Sequence, residues 1–310
     1  MKKLLPIFLV MLLLASAGYF LLKENPKDIK KETPKVLKLE EFNRVRSCAR
    51  IPTFLSNMGI KRPVIDLSQM HYKGIAFYYG RNFTKVLHAK EWERYDSLGT
   101  YTIDSLGNIY LTPNPFISIK PSTFNLQKAI YKMDSKSGKL TRWMEIDDVK
   151  PNPNNPYGLI SIVYDCDNST LIASSIDESD YKAQKGVIYQ INPKTQDIVN
   201  RVEGFDALTI NILHTKNSKY LIAGSARDNG VYAFAFNGSK LTSTPHKLFE
   251  LPNPMLRVRK IKVIGKNRLK LEAIKFNYSL VAETNKKQRF EYIATYNPTN
   301  STWKIIEANR

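Results

Sequence analysis

Three side chains with oxygen donors, Asp96, Asn155 and Asp206, each precede a run of residues that favour β-strands. Such oxygens are the ligands that Ca²⁺ and Mg²⁺ prefer, so the three groups would form a divalent-cation site if the fold brought them together. Asp and Asn are also common in turns that bind no metal, where their side chains accept hydrogen bonds from the backbone. The sequence leaves both interpretations open: a Ca²⁺ or Mg²⁺ site, or three structural turn residues.

A second group of side chains suits an anionic ligand. Tyr72, Arg257 and Arg259 lie beside the start of strand-forming runs, and an arginine there would bind a carboxylate or phosphate through paired hydrogen bonds. Asp177 and Glu178 belong to the densest acidic cluster, in a loop that either contacts a ligand or is solvated. We treat these five residues as candidate ligand-binding positions.

Evidence for a particular reaction is weak. The four histidines lack the paired spacing of metal sites, and His71, just before a strand-forming run, is the catalytic candidate among them. The sequence contains no nucleophile elbow, no P-loop and no dinucleotide-binding glycine motif. The residues alone therefore do not specify an enzyme activity.

A repeat positions these residues. Each unit has a strand, a turn rich in Gly, Asn and Asp, a second strand, and then a second hairpin. The residue that opens the second hairpin recurs at intervals of 45 to 60 residues: Asp134, Asn192, Asn237 and Asn297. Four strands per unit at such spacing are typical of propeller blades. We predict an all-β fold, a β-propeller of five to six four-stranded blades over residues 51–310, preceded by an N-terminal hydrophobic segment.

The N-terminus predicts export. Lys2 and Lys3 precede an apolar run of 19 residues that ends at Leu22, with small residues at Ala15 and Ala17. Residues 1–22 are thus a cleaved signal peptide or an uncleaved membrane anchor. Residues 23–50 are predicted to be a polar tether, with a short helix over Leu39 to Arg50. The expected location is periplasmic, secreted or anchored to the outer face of the membrane.

Charge and cysteine content fit that location. The formal net charge of +19 favours an anionic partner, a small molecule or a protein, and we do not expect a nucleic-acid partner. Cys48 and Cys166 would pair in an oxidising compartment, or they are two unpaired thiols.

One repeat unit resembles a known family. Its blade reads Pro156 to Leu159, then Leu171 to Ala173, then Gly186 to Pro193. This pattern resembles the NHL, SMP-30/gluconolactonase and streptogramin-lyase-like propellers. The resemblance implies a propeller and, in its lactonase and lyase branches, a divalent cation at the axis. No position matches the cation ligands of either branch.

Two functional hypotheses follow. In the first, the protein is an exported propeller that binds a ligand or a protein outside the cytoplasm. In the second, it is a divalent-metal-dependent hydrolase, lactonase or lyase that uses Asp96, Asn155 and Asp206. Stabilisation by added cations would distinguish the second from the first.

Overall fold

The computed structural model describes residues 37–95, 97–114, 121–279 and 288–308, with the side chains of 121–123 left undescribed. Residues from Leu37 onward form one compact unit. Residues 1–22 and the first part of the predicted tether lie outside the described residues. Within the described residues, no helix is long and apolar enough to cross a membrane.

Five antiparallel sheets follow one another along the chain. Sheet 1 contains β1 (Val64–Asp66), β2 (Ala76–Tyr79) and β3 (Lys85–Leu87). Sheet 2 contains β4 (Leu98–Ile103), β5 (Ile109–Pro113), β6 (Ala129–Met133) and β7 (Leu140–Glu145). Sheet 3 contains β8 (Leu159–Asp165), β9 (Thr170–Ser175), β10 (Val187–Ile191) and β11 (Ile198–Glu203). Sheet 4 contains β12 (Ala207–His214), β13 (Lys219–Ser225), β14 (Gly230–Asn237), β15 (Lys240–Leu241) and β16 (His246–Glu250). Sheet 5 contains β17 (Leu256–Gly265), β18 (Arg268–Lys275), β19 (Arg289–Asn297) and β20 (Thr302–Glu307).

The arrangement is a β-propeller, as the repeat predicted, with five blades and not six. Sequential strands pair as a meander in each sheet, so the chain completes one sheet before it starts the next. Turn chemistry explains the repeat. The residue that opens the second hairpin accepts a hydrogen bond from the backbone N–H two positions on, as in Asp134 with Lys136 at 3.1 Å and Asn192 with Lys194 at 2.9 Å.

Apolar clusters join neighbouring sheets. Separate clusters lie between sheets 1 and 2, 2 and 3, 3 and 4, and 4 and 5, and in the described part of the chain none joins sheet 5 to sheet 1. The burial pattern agrees. Every residue of β5 is buried, whereas β18 alternates between buried and exposed side chains. Sheet 5 therefore has one face in the core and one face in water.

The predicted short helix over Leu39 to Arg50 is wrong, because that segment is extended and packs against four sheets. We call residues 37–54 the strap. The backbone of Phe42 exchanges two hydrogen bonds with Asn267, at 2.9 and 2.8 Å, and Phe42 bridges to Thr215. The only described α-helix, α1 (Thr53–Asn57), begins at the end of the strap. An extended chain can offer its backbone groups to successive turns, which a helix cannot, because its own ladder uses them.

The strap continues across the remaining blades. A disulfide joins Cys48 to Cys166 in the turn between β8 and β9, with the two Cα atoms 5.9 Å apart. The N–H of Arg50 then donates to the carbonyl of Asp104 in sheet 2, and the N–H of Phe54 donates to that of Ser135. The strap thus connects sheets 5, 4, 3 and 2 in turn before the chain enters sheet 1.

The disulfide should contribute substantially to stability. It closes a loop with a sequence separation of 118 residues, and the loop-entropy account gives a stabilisation of about 2–5 kcal/mol for a loop of this size. We expect the double variant Cys48→Ser/Cys166→Ser to lose this amount in urea unfolding. Wild type treated with reductant is the control and should match the variant. Equal midpoints for the variant and the oxidised wild type would show that the strap needs no covalent link.

Candidate functional site

The two ends of the propeller have different roles. The strap contacts the turns between first and second strands and, in sheet 2, the hairpin between third and fourth. The connections between second and third strands, and between successive sheets, lie at the opposite end. We call that opposite end the loop end. Asn155 and Asp206, which precede the first strands of sheets 3 and 4, lie there, and so does Asp177, which follows β9.

Asp206 is fully buried, and hydrogen-bond donors surround its carboxylate. Oδ1 accepts from Ser179 Oγ at 2.7 Å and from the N–H of Gly186 at 2.8 Å. Oδ2 accepts from the Tyr278 hydroxyl at 2.6 Å and lies 3.9 Å from a guanidinium nitrogen of Arg227. Burial and this hydrogen bond raise the pKa of Tyr278. Asp206 therefore holds the loops of sheets 3, 4 and 5 together.

Asn155 is also buried, and its amide group fastens the loop that follows β9. Its Nδ2 donates to the carbonyls of Ile176 and Ser179, at 2.6 and 2.8 Å. Its Oδ1 accepts from the N–H of Tyr157 at 3.1 Å. The single oxygen of this side chain is thus engaged by the backbone.

Asn155 and Asp206 do not fit a shared cation site. They meet through Ser179, whose carbonyl accepts from Asn155 and whose hydroxyl donates to Asp206. A cation needs unengaged oxygens directed at one point, and the oxygens here face N–H and O–H donors instead. Asp96 lies outside the described residues. Among the residues that are described, no group of three His, Cys, Asp or Glu side chains could hold a metal ion.

The two acidic candidates of the neighbouring loop differ. Asp177 is buried and accepts from Ser175 Oγ and from the N–H of Lys150, the latter at 2.6 Å. Burial raises the pKa of the Asp177 carboxyl in spite of these hydrogen bonds. Glu178 is exposed, has a left-handed backbone conformation (φ 55°), and lies 3.9 Å from Lys185 Nζ. Asp177 is thus structural, and Glu178 faces solvent.

The guanidinium of Arg257 has a structural role. Its Nε donates to the carbonyl of Ala226 at 3.1 Å, and its Nη1 donates to those of Pro254 and Leu256, at 2.7 and 2.9 Å. These bonds connect the sheet 4 loop to the start of β17. The guanidinium of Arg257 therefore has little remaining capacity for a ligand.

Arg259 differs from Arg257. It is partly buried on β17, the first strand of sheet 5, and within the described residues it has no hydrogen bond and no carboxylate within salt-bridge distance. Burial, and next the positive charge of Arg289, lower the pKa of its guanidinium. The groups that interact with it electrostatically also include Glu272 and Tyr157. Arg259 is thus a partly desolvated cation that has no bonded counter-ion among the described residues.

Aromatic rings at the loop end form a chain that the sequence did not predict. Tyr157 lies 5.3 Å from Phe276, Phe276 lies 5.3 Å from Tyr278, and Tyr278 lies 5.5 Å from Tyr181, measured between ring centroids. Burial raises the pKa of Tyr157 to about 12, so its hydroxyl stays protonated. The rings come from three separate loops, so no local sequence signal links them.

The candidates in sheet 1 stand apart from this network. His71 is exposed, and the ring of Tyr72 packs on that of His88, 4.8 Å between centroids. His88 in turn contacts Glu93, 3.3 Å from Nε2 to Oε1. The described contacts do not join His71 to Asp177, Asp206 or Arg259, so they give no support to a catalytic role for His71.

Comparisons with known proteins show no family. No model of a known protein family matches the chain, and no curated protein matches it. One solved structure that is similar comes from a study of two prolyl endopeptidases, entitled as an analysis of inter-domain dynamics in catalysis and specificity. It shares 11% identity with a TM-score of 0.34, and the alignment covers 87% of this chain and 50% of that chain. The chain therefore spans half the length of that protein, and the resemblance to the NHL and SMP-30 propellers stays a prediction.

The network around Asp206 should be structural and independent of metal. Asp206→Asn removes the charge and turns an amide N–H toward a donor, so we expect a loss of about 2–3 kcal/mol in the free energy of unfolding. Melting temperatures with EDTA, Ca²⁺ and Mg²⁺ should agree for the wild type and for the variant. If Ca²⁺ or Mg²⁺ raised the melting temperature of the wild type and Asp206→Asn abolished that rise, Asp206 would be a metal ligand after all.

Asp177 should make a pH-dependent contribution. Because the folded-state pKa is raised, its carboxyl stabilises the fold below its unfolded pKa, and this contribution is lost as pH rises through the folded pKa. The stability of Asp177→Asn relative to wild type should therefore increase as pH rises above about 4, the ordinary pKa of an aspartate. Urea unfolding at a series of pH values from there upward gives the slope. A difference that is flat or falls with pH would contradict the burial effect.

Proposed function

We propose that this protein is an extracytoplasmic binding module in which Arg259 binds an anionic ligand at the loop end of the propeller axis. One observation carries the proposal: Arg259 is a partly buried guanidinium with no carboxylate partner among the described residues. Burial of an uncompensated charge is costly, and a bound carboxylate or phosphate would offset that cost through paired hydrogen bonds.

The neighbours of Arg259 support an axial position. Arg259 belongs to sheet 5, and Tyr157 lies in the connection that leads to sheet 3. Those two sheets are not adjacent in the ring, so a side chain that interacts with both lies near the axis. Leu208, Ala226 and Tyr278 form an apolar cluster with Tyr157 at the same end. A small anion with an apolar or aromatic portion suits this environment.

Location outside the cytoplasm is the second part of the proposal. The disulfide between Cys48 and Cys166 suits an oxidising compartment. The lysine-flanked apolar run that ends at Leu22 suits a signal peptide or anchor. An excess of cationic residues, with a net charge of +19, would attract anionic ligands to the molecule.

A binding function accounts for the loop end better than a metal-dependent hydrolase or lyase does. That alternative needed oxygens of Asn155 and Asp206 to converge on Ca²⁺ or Mg²⁺, whereas backbone and side-chain donors engage them.

The test uses inorganic phosphate and Arg259→Gln. Phosphate should raise the melting temperature of wild type at low ionic strength, because a ligand at a hundredfold excess over its dissociation constant stabilises by about 2.7 kcal/mol. Arg259→Gln should abolish that response. The variant itself should be as stable as wild type or more so, since it removes a partly buried charge that has no carboxylate within salt-bridge distance among the described residues.

Arg257→Gln is the matched control. It loses three hydrogen bonds from a charged donor, so it should destabilise the fold by about 1–3 kcal/mol while keeping the response to phosphate. If wild type shows no response, or if Arg259→Gln keeps it, Arg259 is not the anion-binding group.

A further inference from the structure

The outer face of sheet 5 has the composition of an interaction surface. Strand register places its members on one side: Lys260 lies opposite Glu272, Lys262 opposite Lys270, and Thr295 opposite both Arg268 and Lys304. Two acidic side chains, Glu272 and Glu291, share this face. We call it the basic face, and its cations are Lys260, Lys262, Arg268, Lys270, Arg289 and Lys304.

The charges of the basic face are incompletely balanced. Glu272 lies 3.4 Å from Lys260 and 3.7 Å from Arg289, and Glu291 lies 3.0 Å from Lys270. Within the described residues, the other cations have no acidic partner: Lys262, Arg268 and Lys304. Lys262 also stands directly opposite Lys270, a cross-strand pair of like charges that destabilises a sheet. An anionic partner would relieve that repulsion.

The basic face also carries apolar side chains. Ile293 and Ile306 are directly paired on it, and Ile306 is 52% exposed. In the described part of the chain no apolar cluster covers this face, whereas the other face of sheet 5 packs against sheet 4. Exposed isoleucine on a face that also carries lysines is a combination that suits the interface of an anionic bilayer.

The basic face belongs to the sheet that the described chain contacts first. The carbonyl of Leu39 accepts from the Tyr296 hydroxyl of sheet 5 at 2.8 Å, so the strap begins at this sheet. Only residues 23–36 separate Leu37 from the apolar run, and fully extended they reach about 50 Å at most. In a chain anchored by that run, the distance between the first residue of the strap and the lipid surface could not exceed about this length.

Other occupants fit less well. Residues 23–36 contain five lysines and three acidic residues, so this segment would repel the basic face. A second copy of the chain carries a net charge of +19 and would be repelled as well. We propose that the basic face docks on an anionic lipid bilayer, with Ile306 at the headgroup level. This proposal rests on the proposed function in one respect, the location of the chain at the outer face of a membrane.

The experiment places the full chain in lipid nanodiscs and measures contact between the basic face and the lipid. Both native cysteines are in the disulfide, so Thr295→Cys gives a unique thiol for a fluorophore on the basic face. Brominated lipid should quench this fluorophore several-fold more in discs with anionic phosphatidylglycerol than in neutral phosphatidylcholine discs. Quenching should disappear at about 0.5 M salt, because salt screens the attraction between the cationic side chains and anionic lipid. The same fluorophore attached at Thr195→Cys, in an exposed turn of sheet 3, should not be quenched.

Two charge variants test the surface itself. Lys262→Glu/Lys270→Glu should reduce quenching to the level of neutral discs. Lys136→Glu/Lys194→Glu makes the same change of net charge in exposed turns of sheets 2 and 3 and should leave it unchanged. Equal quenching in neutral and anionic discs, or an equal effect of both variants, would overturn the proposal. The proposal would also fail if soluble polyphosphate changed the fluorescence of the label at Thr295→Cys whereas the anionic bilayer did not quench it. Arg259→Gln should retain the quenching, so failure of the proposed anion site would be seen separately from failure of this docking surface.

Discussion

Hydrogen bonds and one disulfide fasten the strap to the turns of successive blades, and these bonds hold the sheets together at one end of the propeller. In the described residues, apolar clusters connect each sheet to the next but none connects sheet 5 back to sheet 1. The ring must therefore resist opening by other means. Phe42 fixes the strap to sheet 5 through Asn267, the disulfide at Cys48 fixes it to sheet 3, and Phe54 fixes it to sheet 2. Backbone and covalent bonds at one end thereby stabilise an arrangement that leaves a face of sheet 5 in water.

Much of the fold was predictable because turn chemistry is local. Asp134 and Asn192 accept hydrogen bonds from backbone groups two residues away, so the same residue types recur wherever a blade needs that hairpin. The blade count was less certain because sheet 1 is short and irregular. The strap was mispredicted as a helix near Leu39, because its structure depends on partners such as Asn267, more than 200 residues away in the chain. No local pattern carries that information.

The site was predictable in position but not in chemistry. Asn155 and Asp206 do lie at the loop end, yet sequence could not show that the amide group of Asn155 faces carbonyls and that Tyr278 donates to Asp206. Arg257 and Arg259 look equivalent in the sequence. The structure distinguishes them. The guanidinium of Arg257 donates hydrogen bonds to three carbonyls, whereas that of Arg259 has no hydrogen bond among the described residues. Arg259 also lies where the register of β17 shifts, between Val258 and Lys260, so the regular alternation of the strand is interrupted there.

An anomalous diffraction map from crystals soaked in selenate would locate a bound oxyanion without relying on stability or activity. If Arg259 is the anion-binding group, we expect a peak within hydrogen-bond distance of its guanidinium, between sheet 5 and Tyr157. A guanidinium bound by a carboxylate of the chain itself, with selenate found only on exposed lysines, would contradict it.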